Sequence, residues 1–251
     1  MTPDTPDGTQ TMAGASAGDQ QLGPNAAAVG TAGDQQLGPN AAALLAAEHW
    51  SLLSARSLIW SEAQSRATVF LTVLSASIIA LALLADATGF GSQTTTLALV
   101  LLPVVFLLGI AAYIRLVQIN AEEFQLVMAM NRLRRAYLTL EPGLERYLTT
   151  SDHDDQRGVF GTYMVDRPSR RAMWLMFVVN TPNIVATVDA ALAAAIVVLG
   201  LQVVEAPRAV AVAAGTATFL LVWLALFLLQ RQTLSPFRHQ RPRFPTPPDR
   251  P

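Results

Sequence analysis

Cysteine is absent from this 251-residue chain, and so is lysine; all 17 basic residues are arginine. Without cysteine there is no disulfide, no thiolate nucleophile and no cysteine-ligated metal. Charge is scarce as well, at 14% of residues, against about 25% in an ordinary soluble domain. A net charge of -1 leaves no basic field to draw nucleic acid. Arginine codons are GC-rich and lysine codons are not, so the missing lysine points to a GC-rich bacterial genome rather than to chemistry. The chain has no Gly-rich phosphate loop, no nucleophile elbow and no H-E-x-x-H. No catalytic, cofactor-binding or metal-binding residue is expected, no small-molecule substrate is identified, and the chain reads as non-enzymatic.

What is present in excess is apolar bulk, 52% of residues, gathered in four runs. The expected fold is all-α, a polytopic membrane protein with spans at 67–85, 97–114, 184–204 and 209–229. The stretch Leu97 to Leu140 organises the rest. It leaves its apolar run at Arg115 with no Gly or Pro, so one helix is expected to continue into water. Pro103 inside it predicts a kink. Beyond Arg115 the pattern turns amphipathic, with Val127, Met130, Leu133, Tyr137 and Leu140 at helical spacing. A matching stripe, Trp50, Leu53 and Trp60, precedes the first span. The two stripes are expected to pack on each other, within or between chains, and a homo-oligomer is one possible outcome.

Five regions follow. Residues 1–43 carry a perfect duplication, AGDQQLGPNAAA at Ala17–Ala28 and again at Ala32–Ala43, and are expected to be disordered for want of apolar bulk. No apolar run precedes the first arginine, Arg56, so no signal peptide is expected. Residues 44–148 form the first hairpin with its helical extensions. Residues 149–181 read as a loop and an interfacial segment, RRAMWLMFVV, too short to span. Residues 182–230 form the second hairpin, with Thr181 as N-cap and Pro182 at the first helical position. The Pro- and Arg-rich residues 231–251 are expected to be unstructured.

Arginine also predicts orientation. Two lie before the first span, nine between the second and third, and five after the fourth; only Arg208 falls in an outer loop. That asymmetry places both termini and the long central segment in the cytoplasm of a bacterial cell, with the chain in its plasma membrane. The bilayer is then the first partner. Arg134, Arg135, Arg170 and Arg171 are the candidate juxtamembrane lipid contacts. Asp189 is the one charged residue well inside a span, about 10 Å up from Pro182 at 1.5 Å per residue. It is the candidate intramembrane polar site. An interhelical hydrogen bond to Thr72, Ser75 or Ser77, ion or proton movement, and a switch or assembly role are all open to it. Ser151–Asp155, SDHDD, lacks metal-site spacing and reads as a solvated acidic turn.

Three stretches carry a family resemblance: Trp50–Gly91, Leu101–Leu138 and Asn180–Ala190. The chain resembles a family of uncharacterised actinobacterial four-span integral membrane proteins over about residues 48–230. The resemblance implies the four-span fold and supplies no site residues.

Overall fold

The computed structural model describes residues 38–89, 91–163, 180–238 and 241–247. Those residues are helical, with no strand among them. Helix α1 covers Ala41–Thr88 and α2 covers Ser92–Leu140. A 3-10 turn follows at Pro142–Tyr147, then the short α3, Gln156–Thr162. Helices α4, Thr181–Val203, and α5, Arg208–Arg238, complete the fold. Four of these, all but α3, are long and apolar enough to cross a membrane.

The helix ends follow local chemistry. Between Ala41 and Thr88 there is neither Gly nor Pro, so nothing stops α1 until Gly89. Gly89 has φ 73°, a conformation glycine adopts without steric cost. Thr94 then donates its hydroxyl to the Gly89 carbonyl at 3.1 Å, closing the turn into α2. Pro103 lies inside α2 without ending it. Helix α4 starts one residue earlier than expected. Asn180, not Thr181, is the N-cap, and its side chain accepts from the Asn183 N–H at 3.0 Å. At the α4–α5 turn Glu205 has φ 54°, unusual for a residue with a side chain.

Helix α2 is the centre of the arrangement. It packs on α1 along one side and on α4 along another, and it also touches α5 and α3. The main core gathers Phe70 of α1, Leu102, Val105 and Tyr113 of α2, Val185 of α4 and Leu226 of α5. A second, smaller cluster joins Val127 and Met128 of α2 to Val159 of α3. Burial within the apolar windows is uneven: 33% of residues in α2 and α4, but only 11% in α1 and α5. The two outer helices therefore present long apolar surfaces, among them Ile78, Ile79, Leu83, Leu220 and Leu221. Large exposed apolar surfaces mark membrane or protein interaction sites.

Two expectations need correction. The region after residue 149 was expected to be a loop, but it holds α3, because Asp155 caps it by accepting from the Gly158 N–H at 2.8 Å. The tail from residue 231 was expected to be unstructured. Instead α5 runs on to Arg238, and residues 241–247, though irregular, are fastened to the protein. The first repeat of the N-terminal duplication, and the first half of the second, lie outside the described residues. So does the segment Arg170–Val179.

Candidate functional site

Two places concentrate the chemistry: a polar head built on the far ends of α1 and α2, and one acid inside the bundle. The head is tied first where α2 leaves its apolar stretch. Arg115 donates to both oxygens of Glu62 on α1 at 2.8 Å and to Glu122 at 2.7 Å. Two turns further along, Glu123 collects three donors, two from α1 and one from the end of α3. Its Oε1 accepts from Arg56 Nη2 at 3.0 Å and Trp60 Nε1 at 3.1 Å, both on α1. It also accepts from the Tyr163 hydroxyl just beyond α3, at 3.0 Å. Burial, then the neighbouring Glu123 carboxylate, raises the Tyr163 pKa, so the phenol remains a donor. His49 stacks on Tyr137 at 5.9 Å, closing the same seam near its end.

The expected stripe pairing is thus replaced in part by polar contacts. Trp60 and Tyr137 sit at the α1–α2 seam, through Glu123 and His49. Trp50 and Leu53 do not: Trp50 is 71% exposed and Leu53 is exposed too. Val127 is buried in a cluster with Val159 of α3, and Met130 is buried as well. Helix α3 packs on part of the apolar face of α2, through Val159 against Val127 and Met128.

The arginine expectations change as well. Arg134 is buried and donates to Asn131 Oδ1 at 2.6 Å. Arg135 pairs with Asp152 at 3.0 Å. Both lie roughly 28–30 Å along the helix from Arg115, at 1.5 Å per residue, and both donate to groups of the head. Arg170 and Arg171 lie outside the described residues.

The SDHDD turn is not simply solvated. Asp154 has a fully buried side chain that accepts from Arg132 at 2.6 Å. It also accepts from the backbone N–H groups of Arg243 at 3.0 Å and Phe244 at 2.7 Å. Asp155 accepts from the N–H of Thr246 at 3.0 Å and from its hydroxyl at 2.7 Å. The two aspartates clamp the C-terminal strap. Burial alone would raise both pKa values. At Asp154 the Arg132 pair and the strap N–H bonds outweigh it; at Asp155 the Thr246 and Gly158 bonds do so. Both acids therefore titrate below the ordinary carboxylate range. Gly158 makes the turn possible, since a side chain there would overlap the His153 carbonyl. Sequence reasoning missed this clamp, although an Asp three residues before a Gly in a short helical stretch was a usable capping signal.

Asp189 is the opposite case. It is 0% exposed, and neither carboxylate oxygen has a hydrogen-bond partner among the described residues. It packs on Gly109 of α2, where even a methyl group would overlap the carboxylate. The expected hydrogen bond to α1 is not made. Asp189 meets α2 instead, and the Ser77 hydroxyl donates to its own helix at Val73. Tyr113, one turn beyond Gly109, donates to the Leu226 carbonyl of α5 at 2.6 Å. Gln230, one turn beyond Leu226, is buried with its amide unpartnered among the described residues. Gln230 was not singled out from sequence, because at the boundary of an apolar run a glutamine reads as the first solvated residue.

The chain matches no family model, no curated protein and no solved structure.

Proposed function

We propose that the chain is a bacterial integral plasma-membrane protein that crosses the bilayer four times, with both termini and the helical head in the cytoplasm. It acts without catalysis, by helix-mediated assembly, as a sensor, scaffold or effector. The observation that carries this reading is the continuity of α1 and α2. Each runs unbroken from an apolar stretch into a polar one, and Arg115–Glu62 and Arg56–Glu123 lock the two together at the exit. Such a rigid pair joins the bilayer to the head mechanically. The arginine asymmetry supports the orientation. The exposed Trp50 and Leu58 of α1 supply an apolar surface for a second copy. The texture of the spans keeps the actinobacterial four-span family as the proposed kinship.

Topology reporters test the first part. Fusions at Gly158 and after Arg231 should score cytoplasmic and one at Gly91 external; a cytoplasmic Gly91 would overturn the orientation. The cysteine-free background tests the second. A single cysteine at Trp50 or Leu58 should give a disulfide-linked dimer in native membranes. Monomer alone at both positions would defeat assembly through this face.

A second reading, a small channel or transporter using Asp189, is favoured by that carboxyl group being buried and unpartnered among the described residues. An ionisable residue within a span is costly and marks a functional site by default. Ion or proton flux in proteoliposomes that is lost in Asp189→Asn would establish it. Absence of flux in the wild type would remove it.

A further inference from the structure

The surroundings of Asp189 are asymmetric. The three helices meeting there, α2, α4 and α5, bury different residues on either side of its level. Toward the α4–α5 turn, the buried side chains on these helices are apolar, Ala98, Leu102, Val105, Ala193 and Ala211 among them, except Thr94 at the start of α2, whose hydroxyl is committed to the Gly89 carbonyl. Toward the head, they include Tyr113, Asn183 and Gln230. Apart from Thr94, the buried polar side chains of these helices thus lie at the level of Asp189 or on its head side.

Among the described residues the carboxyl group has no cation paired with it, and Arg115, six residues beyond Gly109, is held by Glu62 and Glu122. On the elements packed against it, the titratable neighbour is Tyr113, whose hydroxyl is committed to the Leu226 carbonyl. An uncompensated carboxylate in an apolar interior is strongly disfavoured. The close packing on Gly109 fits a neutral acid.

We propose that Asp189 is a proton-binding site open to the head side only, so that the α2–α4 contact at Gly109 reports proton activity in the cytoplasm. The inference rests on the four-span reading and gives its sensor role an input. The bound proton holds the acid neutral and α4 closed on Gly109. Its release to the cytoplasm leaves a carboxylate that the closed contact cannot accommodate, so α2 and α4 part. Because α2 continues into the head, the separation reaches Glu123 and its donors. A relay across the whole bilayer would need polar groups on the other side of Asp189, where Ala98, Leu102, Val105 and Ala193 separate it from the hydroxyl of Thr94 at the α1–α2 turn.

The test is infrared difference spectroscopy on the full chain in phosphatidylethanolamine–phosphatidylglycerol vesicles, with pH set independently on the two sides. Protease access to the strap reports orientation separately, so a failure of the membrane reading is visible without the spectrum. The wild type should show a carboxylic-acid carbonyl band at neutral pH that Asp189→Asn lacks. Alkaline solution on the head side should abolish the band; alkaline solution on the other side should leave it. Gly109→Ala, which forces the contact open, should lose the band at lower pH than wild type. The absence of the band in wild type at neutral pH would overturn the proposal. So would equal bleaching from both sides, which is the signature of a transmembrane relay, or an unchanged titration in Gly109→Ala. If either variant fails to fold, the two-sided wild-type titration still decides.

Discussion

Asp154 in the head and Asp189 in the bundle are the same residue type, and both are almost wholly buried. Their surroundings are opposite. Asp154 has three donors within 3.0 Å, from Arg132, Arg243 and Phe244. Asp189 has none among the described residues. The first is a charged anchor whose removal exposes the need of its partners. The second is a buried acid without a hydrogen-bond partner, so its removal orphans no donor among the described residues. Burial therefore says little about a carboxyl group until its partners are named.

The largest expected effect tests the anchored side. Asp154→Ala leaves Arg132 and two strap N–H groups without their acceptor, at a cost of about 2–3 kcal/mol. The strap should become protease-sensitive and its amides should exchange quickly, while the spans keep their helicity. An unaltered strap would show that Asp154 does not anchor it. Acid should produce the same release reversibly. The Asp154 and Asp155 pKa values are depressed below their ordinary 3.8 on folding. Their contribution is therefore complete above about pH 3.8 and is lost as pH falls through the lower folded values. Hydrogen exchange of residues 241–247 across that range measures it; release beginning well above that pH would contradict the assignment.

An intermediate effect is expected at Glu123. Glu123→Gln keeps an acceptor but removes the charge, weakening the bonds from Arg56, Trp60 and Tyr163 by about 1 kcal/mol in total. The Tyr163 phenol should then ionise at lower pH, because the neighbouring negative charge is gone; an ultraviolet titration reads this directly. An unchanged titration would mean that Glu123 does not face the phenol.

The smallest effect is expected on the isolated side. Asp189→Asn should change stability by less than about 0.5 kcal/mol near neutral pH, since a neutral acid is exchanged for a neutral amide of the same shape. Thermal melting in detergent is the measurement. A loss comparable to that of Asp154→Ala would erase the contrast and show that Asp189 carries a partnered charge.

What could be read from sequence was set by long runs of one property. Apolar stretches of sufficient length, uninterrupted by Gly or Pro, determined four long helices, because each residue in such a run reports the same helical preference. The continuation of α2 past Arg115 was legible for the same reason. The N-cap of α4 was placed within one residue, since capping is local. Asp189 stood out because one charge in an apolar run is visible without coordinates. Its neighbour was not, since Gly109 lies 80 positions away and only helix packing brings the two together. Tertiary structure alone decided that Val127 faces α3, that Trp50 faces outward and that Arg134 turns inward. It alone joined Asp154 to Phe244 across 90 positions. The physical reason is common to all of these. A periodic stripe states that a face will be covered, while the covering element is chosen by competition among all the surfaces the chain can bring to it.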